Sequence, residues 1–284
     1  MLCPSIFDIP WSLIDIQILL IHPILTMKIS VHLLPELTSP EELAGDTVVV
    51  IDILRATTTI NYALAAGATK VIPCLDVDEA RDLACKQLGK VLLGGERGGK
   101  KIDGFDCGNS PAEYTTELVS GATIVFTTTN GTKALSLTTG CDRVLIGAFV
   151  NLSAIVSAVV DVEHLHLLCA GTNGEITRED VLFAGAVVER LTGLPALKSK
   201  GDTTQSMPSE YNDAARLAQA AWESIGDNRY SPGSLAAELR DTQGGRNLIG
   251  IGLQDDLPRA GMLDEFVIVP ELDRASWAIN RASL

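Results

Sequence analysis

VVVIDILRATTTI, residues 48–60, decides the fold. Six of its first seven residues are Val, Ile or Leu, and an unbroken apolar run of that length suits a strand covered on both faces, the habit of parallel sheets. The run is interrupted at Asp52, ends at Arg55, and passes into Thr57–Thr59, a segment suited to starting a helix. Similar strand-like runs follow: KVIPC (70–74), KVLLG (90–94), ATIVFT (122–127), RVLIGA (143–148) and HLHLLCA (164–170). Helix-period stretches separate them. Helix starts are read at Ser110-Pro111-Ala112-Glu113, at Asn151 and at Ser231-Pro232, and helix stops at Gly67, Gly89 and Gly140. Beyond about residue 175 the pattern turns helix-rich, through EDVLFAGAVVERL and NDAARLAQAAWESI, before a closing strand-like EFVIVP (265–270). These elements predict an α/β fold: a three-layer α/β/α architecture on a mostly parallel sheet, in two α/β lobes, 27–145 and a helix-rich 146–284.

Composition narrows the function. The chain has 284 residues, 46% hydrophobic and 20% charged, which is too apolar for a disordered chain and long enough for a large core. A net charge of −14 opposes binding to nucleic acid or to an anionic membrane. A small anion stays compatible only if its site gathers local Arg, backbone N–H groups or a metal ion. Six cysteines without any C-x-x-C pair read as reduced thiols of a cytoplasmic protein, not as a zinc finger or disulfide scaffold. Residues 9–26 are apolar, yet no Lys or Arg precedes Lys28, and Asp15 and His22-Pro23 break the run. Neither a signal peptide nor a membrane span fits, so residues 1–26 read either as a poorly ordered extension or as lying upstream of a true start at Met27, where a soluble domain opens.

Nearly every strand-like run leads into a polar or Gly-rich turn: Asp52 to Thr59, Gly94 to Ser110, Thr127 to Thr132, Gly147 to Asn151 and Gly171 to Glu175. In open parallel sheets ligands bind outside the carboxyl ends of the strands, so these five turns are expected to converge on one site. Asp52 offers a carboxylate for a metal, and Arg55 with the free N–H groups of a helix start suits a phosphate; the plainer alternative is an Asp52–Arg55 ion pair capping the turn. Position 54 is Leu, which excludes the D-x-D-x-T pattern of haloacid-dehalogenase-like phosphatases.

GGERGGKKIDGFDCGNSP (94–111) combines glycines with Glu96, Arg97, Asp103 and Asp106; its carboxylates suit Mg²⁺ and Arg97 an anion, while Ser110 reads as a helix cap. FTTTNGTKAL (126–135) reads as an anion nest through Thr128, Asn130, Gly131 and Thr132, or as an ordinary Ser/Thr-capped turn. Cys169 has no local His partner and reads as packing. His164 and His166 share one face of a strand, with a structural reading favoured over zinc for want of a third ligand.

Taken jointly, IDILRATTTI (51–60), LGGERGGKKIDGFDCGNSPAEY (93–114), FTTTNGTKAL (126–135), IGAFVNLSAI (146–155) and LLCAGTNGEITRED (167–180) resemble the 2-phosphosulfolactate phosphatase family, from about residue 28 to the C-terminus. Cys107 stands where Leu is more usual. The resemblance implies an α/β/α, Mg²⁺-dependent phosphatase releasing phosphate from 2-phospho-3-sulfolactate, as in coenzyme M biosynthesis. The expected roles are Asp52, Arg55 and Arg97 in catalysis, and Thr57, Thr128, Asn130, Gly131, Thr132 and Asn151 in substrate binding. Asp52, Glu96, Asp103 and Asp106 are expected at the metal. The expected partner is a small anionic phosphorylated substrate, with homo-oligomerisation open. Another phosphorylated hydroxy acid, or a non-catalytic sensor of an anionic metabolite, are the alternatives.

Overall fold

The computed structural model describes residues 27–193, 210–231 and 233–282. The expected extension, 1–26, and Pro232 lie outside the described residues. The strands are β1 (Lys28–His32), β2 (Thr47–Ile51), β3 (Lys70–Pro73), β4 (Val91–Arg97), β5 (Lys100–Lys101), β6 (Thr123–Thr127), β7 (Arg143–Gly147), β8 (His164–Cys169), β9 (Glu210–Tyr211), β10 (Pro270–Asp273) and β11 (Ala278–Arg281). Among the described residues they form one 11-stranded sheet in the order β5-β4-β6-β3-β11-β10-β7-β2-β8-β1-β9. The 145/146 division falls inside β7, and strands from both sides of it alternate along β7-β2-β8-β1.

The sheet has two parallel blocks, β4-β6-β3 and β7-β2-β8-β1-β9, joined by the antiparallel hairpin β10–β11. Each side of that hairpin is in register with its neighbour at a single residue pair, Glu271 with Leu145 and Ile279 with Val71. Three successive antiparallel pairings reverse the strand sense between the blocks. In a flat sheet that reversal would send their carboxyl ends to opposite edges. Here Asp52, after β2, and Gly131, after β6, lie side by side. The sheet therefore turns strongly through the hairpin link, where few ladder bonds resist the natural twist.

β2 is buried along its whole length, and its side chains divide by parity. Val49 and Ile51 pack with Leu165, Leu167 and the helices Leu152–Val159, Arg178–Thr192 and Asp213–Glu223. Val48 and Val50 pack with Val144, Ile146 and the helices Ala56–Ala65 and Gly131–Ser136. That is the three-layer arrangement. EFVIVP does not form the expected strand: pairing begins only at Pro270, because residues 265–269 run along the Phe149–Asn151 turn, where the Phe266 N–H donates to the Val150 carbonyl. No helix among the described residues is long and apolar enough to cross a membrane.

The helices Arg178–Thr192 and Asp213–Glu223 approach through Gly185, where an added Cβ would lie 2.0 Å from the Ala218 carbonyl oxygen. Alanine gains about 1 kcal/mol over glycine inside a helix, but overpacking costs about 1–3 kcal/mol and backbone cannot swing aside. Gly185→Ala is therefore expected to lower the urea-unfolding free energy by about 1–2 kcal/mol; unchanged or higher stability would contradict the close contact.

Candidate active site

Strand carboxyl ends from both blocks meet in a cleft of about 530 Å³. Its walls are Asp52, Leu54 and Arg55 after β2, Glu96 at the end of β4, Gly98 and Gly99 between β4 and β5, Asn109, Thr128–Asn130 after β6, Thr172 and Asn173 after β8, and one face of the helix Gln243–Gly250. Four of the five polar turns read in the sequence reach it. A larger depression of about 820 Å³ lies against the β10–β11 hairpin, but it is open to solvent and has no buried ionisable side chain.

Asp52 is 7% exposed. Its Oδ1 accepts the Ala56 N–H at 3.2 Å, and among the described residues its Oδ2 accepts no hydrogen bond. Burial foremost, then the charges of Glu96 and Glu179, raise its pKa to about 7, against the lowering effects of the Ala56 N–H and Arg55. Gly131 is required beside it: a Cβ there would lie 2.8 Å from Ala56 Cβ, 3.0 Å from Asp52 Oδ2 and 3.2 Å from Thr128 Oγ1. Thr57, by contrast, turns inward. Its hydroxyl donates to the Asp52 carbonyl and accepts the Asp52 N–H, so it fastens the strand-to-helix turn and does not reach the cleft.

Glu96 receives the Gly99 N–H on one carboxylate oxygen and both the N–H and hydroxyl of Thr129 on the other. It thereby ties two walls together. Arg55 is 3% exposed and lines the cleft, paired not with Asp52 but with Asp256 at 2.7 Å, and donating also to the Gly99 carbonyl. Ser110 stands at the N-cap position of the short 3-10 helix Pro111–Glu113, as expected, but its hydroxyl does not cap that helix and donates instead to the second Asp256 oxygen at 2.5 Å. Arg97 points elsewhere, donating to the carbonyls of Glu96 and Leu75 and to the Thr127 hydroxyl. Asp103 and Asp106 are exposed and outside the cleft, because the chain folds back through β5 and then runs along the edge of β4, where Asp106 accepts the Leu93 N–H.

Thr128 Oγ1 and Asn109 Oδ1 are buried at the cleft wall and, among the described residues, have no hydrogen-bond partner. Asn130 also lines it, accepting the Asn173 N–H. Thr132 spends its hydroxyl on the Thr128 carbonyl. Asn151 is fully buried away from the cleft, its amide bridging Ala148, Ile146 and Ile268. It shapes its own turn. Cys169 is fully buried, which holds its thiol well above its ordinary pKa.

Four contributors escaped the sequence reading. Glu179 and Asp180 begin a long helix whose N-terminus abuts the floor: Asp180 receives the Ile53 and Gly171 N–H groups, and Glu179 receives the Gly244 N–H, leaving Glu179 Oε2 buried without a partner. Burial raises the pKa of both carboxyls, and in Asp180 the charges of Asp52 and Glu179 add to it. Arg246 and Asp256 arrive from the helix-rich C-terminal part. The TQGGRN stretch carried a signal, a Thr cap followed by paired glycines: Gly244 and Gly245 admit no Cβ, with Glu179 Oε1 at 2.1 Å and the Leu239 carbonyl at 1.8 Å. A separate group at the other end of the strands, Asp46 with His164 and His166, could hold a metal ion.

The chain matches the family model described as 2-phosphosulpholactate phosphatase over residues 32–275. Among its relatives, a protein of Symbiobacterium thermophilum named probable 2-phosphosulfolactate phosphatase is 41% identical over 81% of this chain and 92% of its own. Its namesakes from Thermotoga petrophila, 39% identical over 80% of this chain and 88% of that one, and from Clostridium novyi, 34% identical over 86% and 97%, extend the likeness. Matched over most of its length, this chain belongs to the 2-phosphosulfolactate phosphatase family.

Proposed function

We propose that this chain is a cytoplasmic, Mg²⁺-dependent phosphatase that hydrolyses 2-phospho-3-sulfolactate to 3-sulfolactate and inorganic phosphate in the cleft at the end of β2. The observation that carries this reading is Asp52: a buried carboxylate with one free oxygen, beside unpartnered Thr128 Oγ1 and cationic Arg55, in a cleft sized for a small organic phosphate.

The residues fit a hard divalent cation. Asp52 and Glu179 repel each other under burial, and Glu179 Oε2 and Thr128 Oγ1 are oxygens without partners. Asp52 and Glu179 would hold the ion, with Glu96 positioning the adjoining wall; Asp103 and Asp106 drop out by their location. When bound, Mg²⁺ offsets phosphoryl charge and favours attack by water. The Thr128 hydroxyl donates to a phosphoryl oxygen, while the free Asn109 Oδ1, an acceptor, suits the cation or a water. Arg55 has N–H groups left after its bonds to Asp256 and Gly99, and Arg246 on the facing helix takes the anionic end of the substrate in place of Arg97.

In the hydrolytic step water forms a bond to phosphorus as the phosphorus–ester oxygen bond breaks. Asp52, through its free Oδ2, is placed to accept the proton of the attacking water and to pass it to the departing alkoxide. The free Asp52 Oδ2 also supports a rival route, attack by the carboxylate itself to give an aspartyl phosphate. A chirally labelled phosphomonoester distinguishes them: direct attack by water is expected to invert configuration at phosphorus, and retention, the result of two successive displacements, would establish the covalent route.

Purified chain is expected to release phosphate from 2-phospho-3-sulfolactate only with Mg²⁺. Asp52→Asn should lower kcat/KM by about 10²–10⁴-fold, a range typical of acid–base groups. Arg246→Ala should chiefly raise KM. Binding without turnover across the Mg²⁺ range would replace the enzyme with a sensor, and faster turnover of another phosphorylated hydroxy acid would change the substrate.

The raised Asp52 pKa also makes a stability prediction for metal-free protein. Its folded pKa, about 7, exceeds the ordinary 3.8, so its contribution is fully present below 3.8 and is lost as pH rises through 7. Urea unfolding in chelator should show Asp52→Asn gaining on wild type as pH rises from 4 to 8. A pH-independent difference would contradict the burial argument.

A further inference from the structure

At the opposite end of β2 and β8 from the cleft, three side chains converge. Asp46 immediately precedes β2, whereas Asp52 follows it; six residues at ~3.3 Å each put the two carboxylates about 20 Å apart. Asp46 Oδ2 lies 2.9 Å from His164 Nδ1 and 3.1 Å from His166 Nε2. All three donor atoms fall within 4.8 Å of one another. Ligands about 2.0 Å from a tetrahedral ion stand about 3.3 Å apart, so a small cation needs only slight spreading of these side chains.

The outer nitrogen of each ring is already held. His164 Nε2 meets Ser30 Oγ at 3.0 Å, and His166 Nδ1 meets His32 Nε2 at 2.8 Å. His32 Nδ1 in turn meets Thr38 Oγ1 at 3.2 Å, and the Thr38 hydroxyl donates to the Leu34 carbonyl. These bonds assign the protons. With its own hydrogen spent on Leu34, Thr38 accepts from His32 Nδ1–H; neutral His32 then accepts at Nε2 from His166 Nδ1–H; neutral His166 is left with a lone pair on Nε2. That lone pair faces the Asp46 carboxylate. Two acceptors at 3.1 Å repel unless a cation lies between them.

We propose that Asp46, His164 and His166 form a second metal site, taking a borderline divalent ion of the Zn²⁺ class, with Ser30, His32 and Thr38 orienting its ligands. Two imidazoles and a carboxylate favour such an ion over Mg²⁺, and the fourth position is left for water. Asp46 is 32% and His164 19% exposed, which gives the ion a way in. The site would pin the starts of β2 and β8 through side chains, with β1 supplying the supporting layer. It does not depend on the phosphatase reading of the cleft.

Equilibrium dialysis of the full chain against Zn²⁺, with excess Mg²⁺ present to occupy hard-ligand sites, tests this. Wild type and Asp52→Asn are each expected to retain one Zn²⁺ per chain, and Asp46→Asn and His164→Ala to retain none while keeping their far-ultraviolet circular dichroism. Thr38→Val, which touches no ligand directly, should weaken binding by about 10–100-fold, the usual effect of removing an outer hydrogen bond. Zinc uptake unaffected by Asp46→Asn and His164→Ala, or no uptake by folded wild type, would overturn the site.

Discussion

Buried carboxylates need donors, and the cleft is assembled around that need. Asp52, Glu96, Glu179, Asp180 and Asp256 are all nearly inaccessible. Transferring an ionised carboxylate out of water costs several kcal/mol unless hydrogen bonds replace the lost hydration. Four of the five draw on backbone N–H groups: Ala56 for Asp52, Gly99 and Thr129 for Glu96, Gly244 for Glu179, Ile53 and Gly171 for Asp180. Each bond fixes a turn. The acids thus act as clamps that hold five loops as one rim, with charge left incompletely compensated at Asp52 and Glu179.

The sheet makes the clamping geometrically available. Its two parallel blocks have opposite sense along the pairing order, and only the turn through the β10–β11 link lets their carboxyl ends share a cleft. The glycines of the rim serve the same end by letting chains pass without side chains between them: at Gly95 a Cβ would sit 2.1 Å from the Thr127 carbonyl, and at Gly131 it would press on Asp52. The starts of the same strands carry a different chemistry, histidines aligned by strand periodicity at β8 and met by Asp46 from the neighbouring strand.

The α/β layering was legible because β2 and its neighbours are covered on both faces and so read as unbroken apolar runs. Asp52, Arg55, Glu96, Thr128 and Asn130 were placed at strand ends by the same logic, and all line the cleft. Arg97, Asp103, Asp106, Thr57, Thr132 and Asn151 share those turns but face away from it, since a turn's composition does not say which side chains its backbone will consume. Thr57, Thr132 and Asn151 are spent on local turn bonds; Asp106 caps an edge strand. Arg246 and Asp256 were hidden for another reason. They come from about 200 residues further along the chain than Asp52 and join its turn only through tertiary packing, as does the β10–β11 hairpin, whose PELD and AINR strands carry no apolar run.

The central claim is that a phosphomonoester sits between Asp52, Thr128 and Arg55. A crystal structure of the slow Asp52→Asn protein soaked with 2-phospho-3-sulfolactate measures this directly. The phosphoryl group is expected against the Thr128 hydroxyl, with the sulfonate or carboxylate toward Arg246. A ligand seated instead in the depression beside the β10–β11 hairpin, or a cleft that stays empty at saturating substrate, would contradict it.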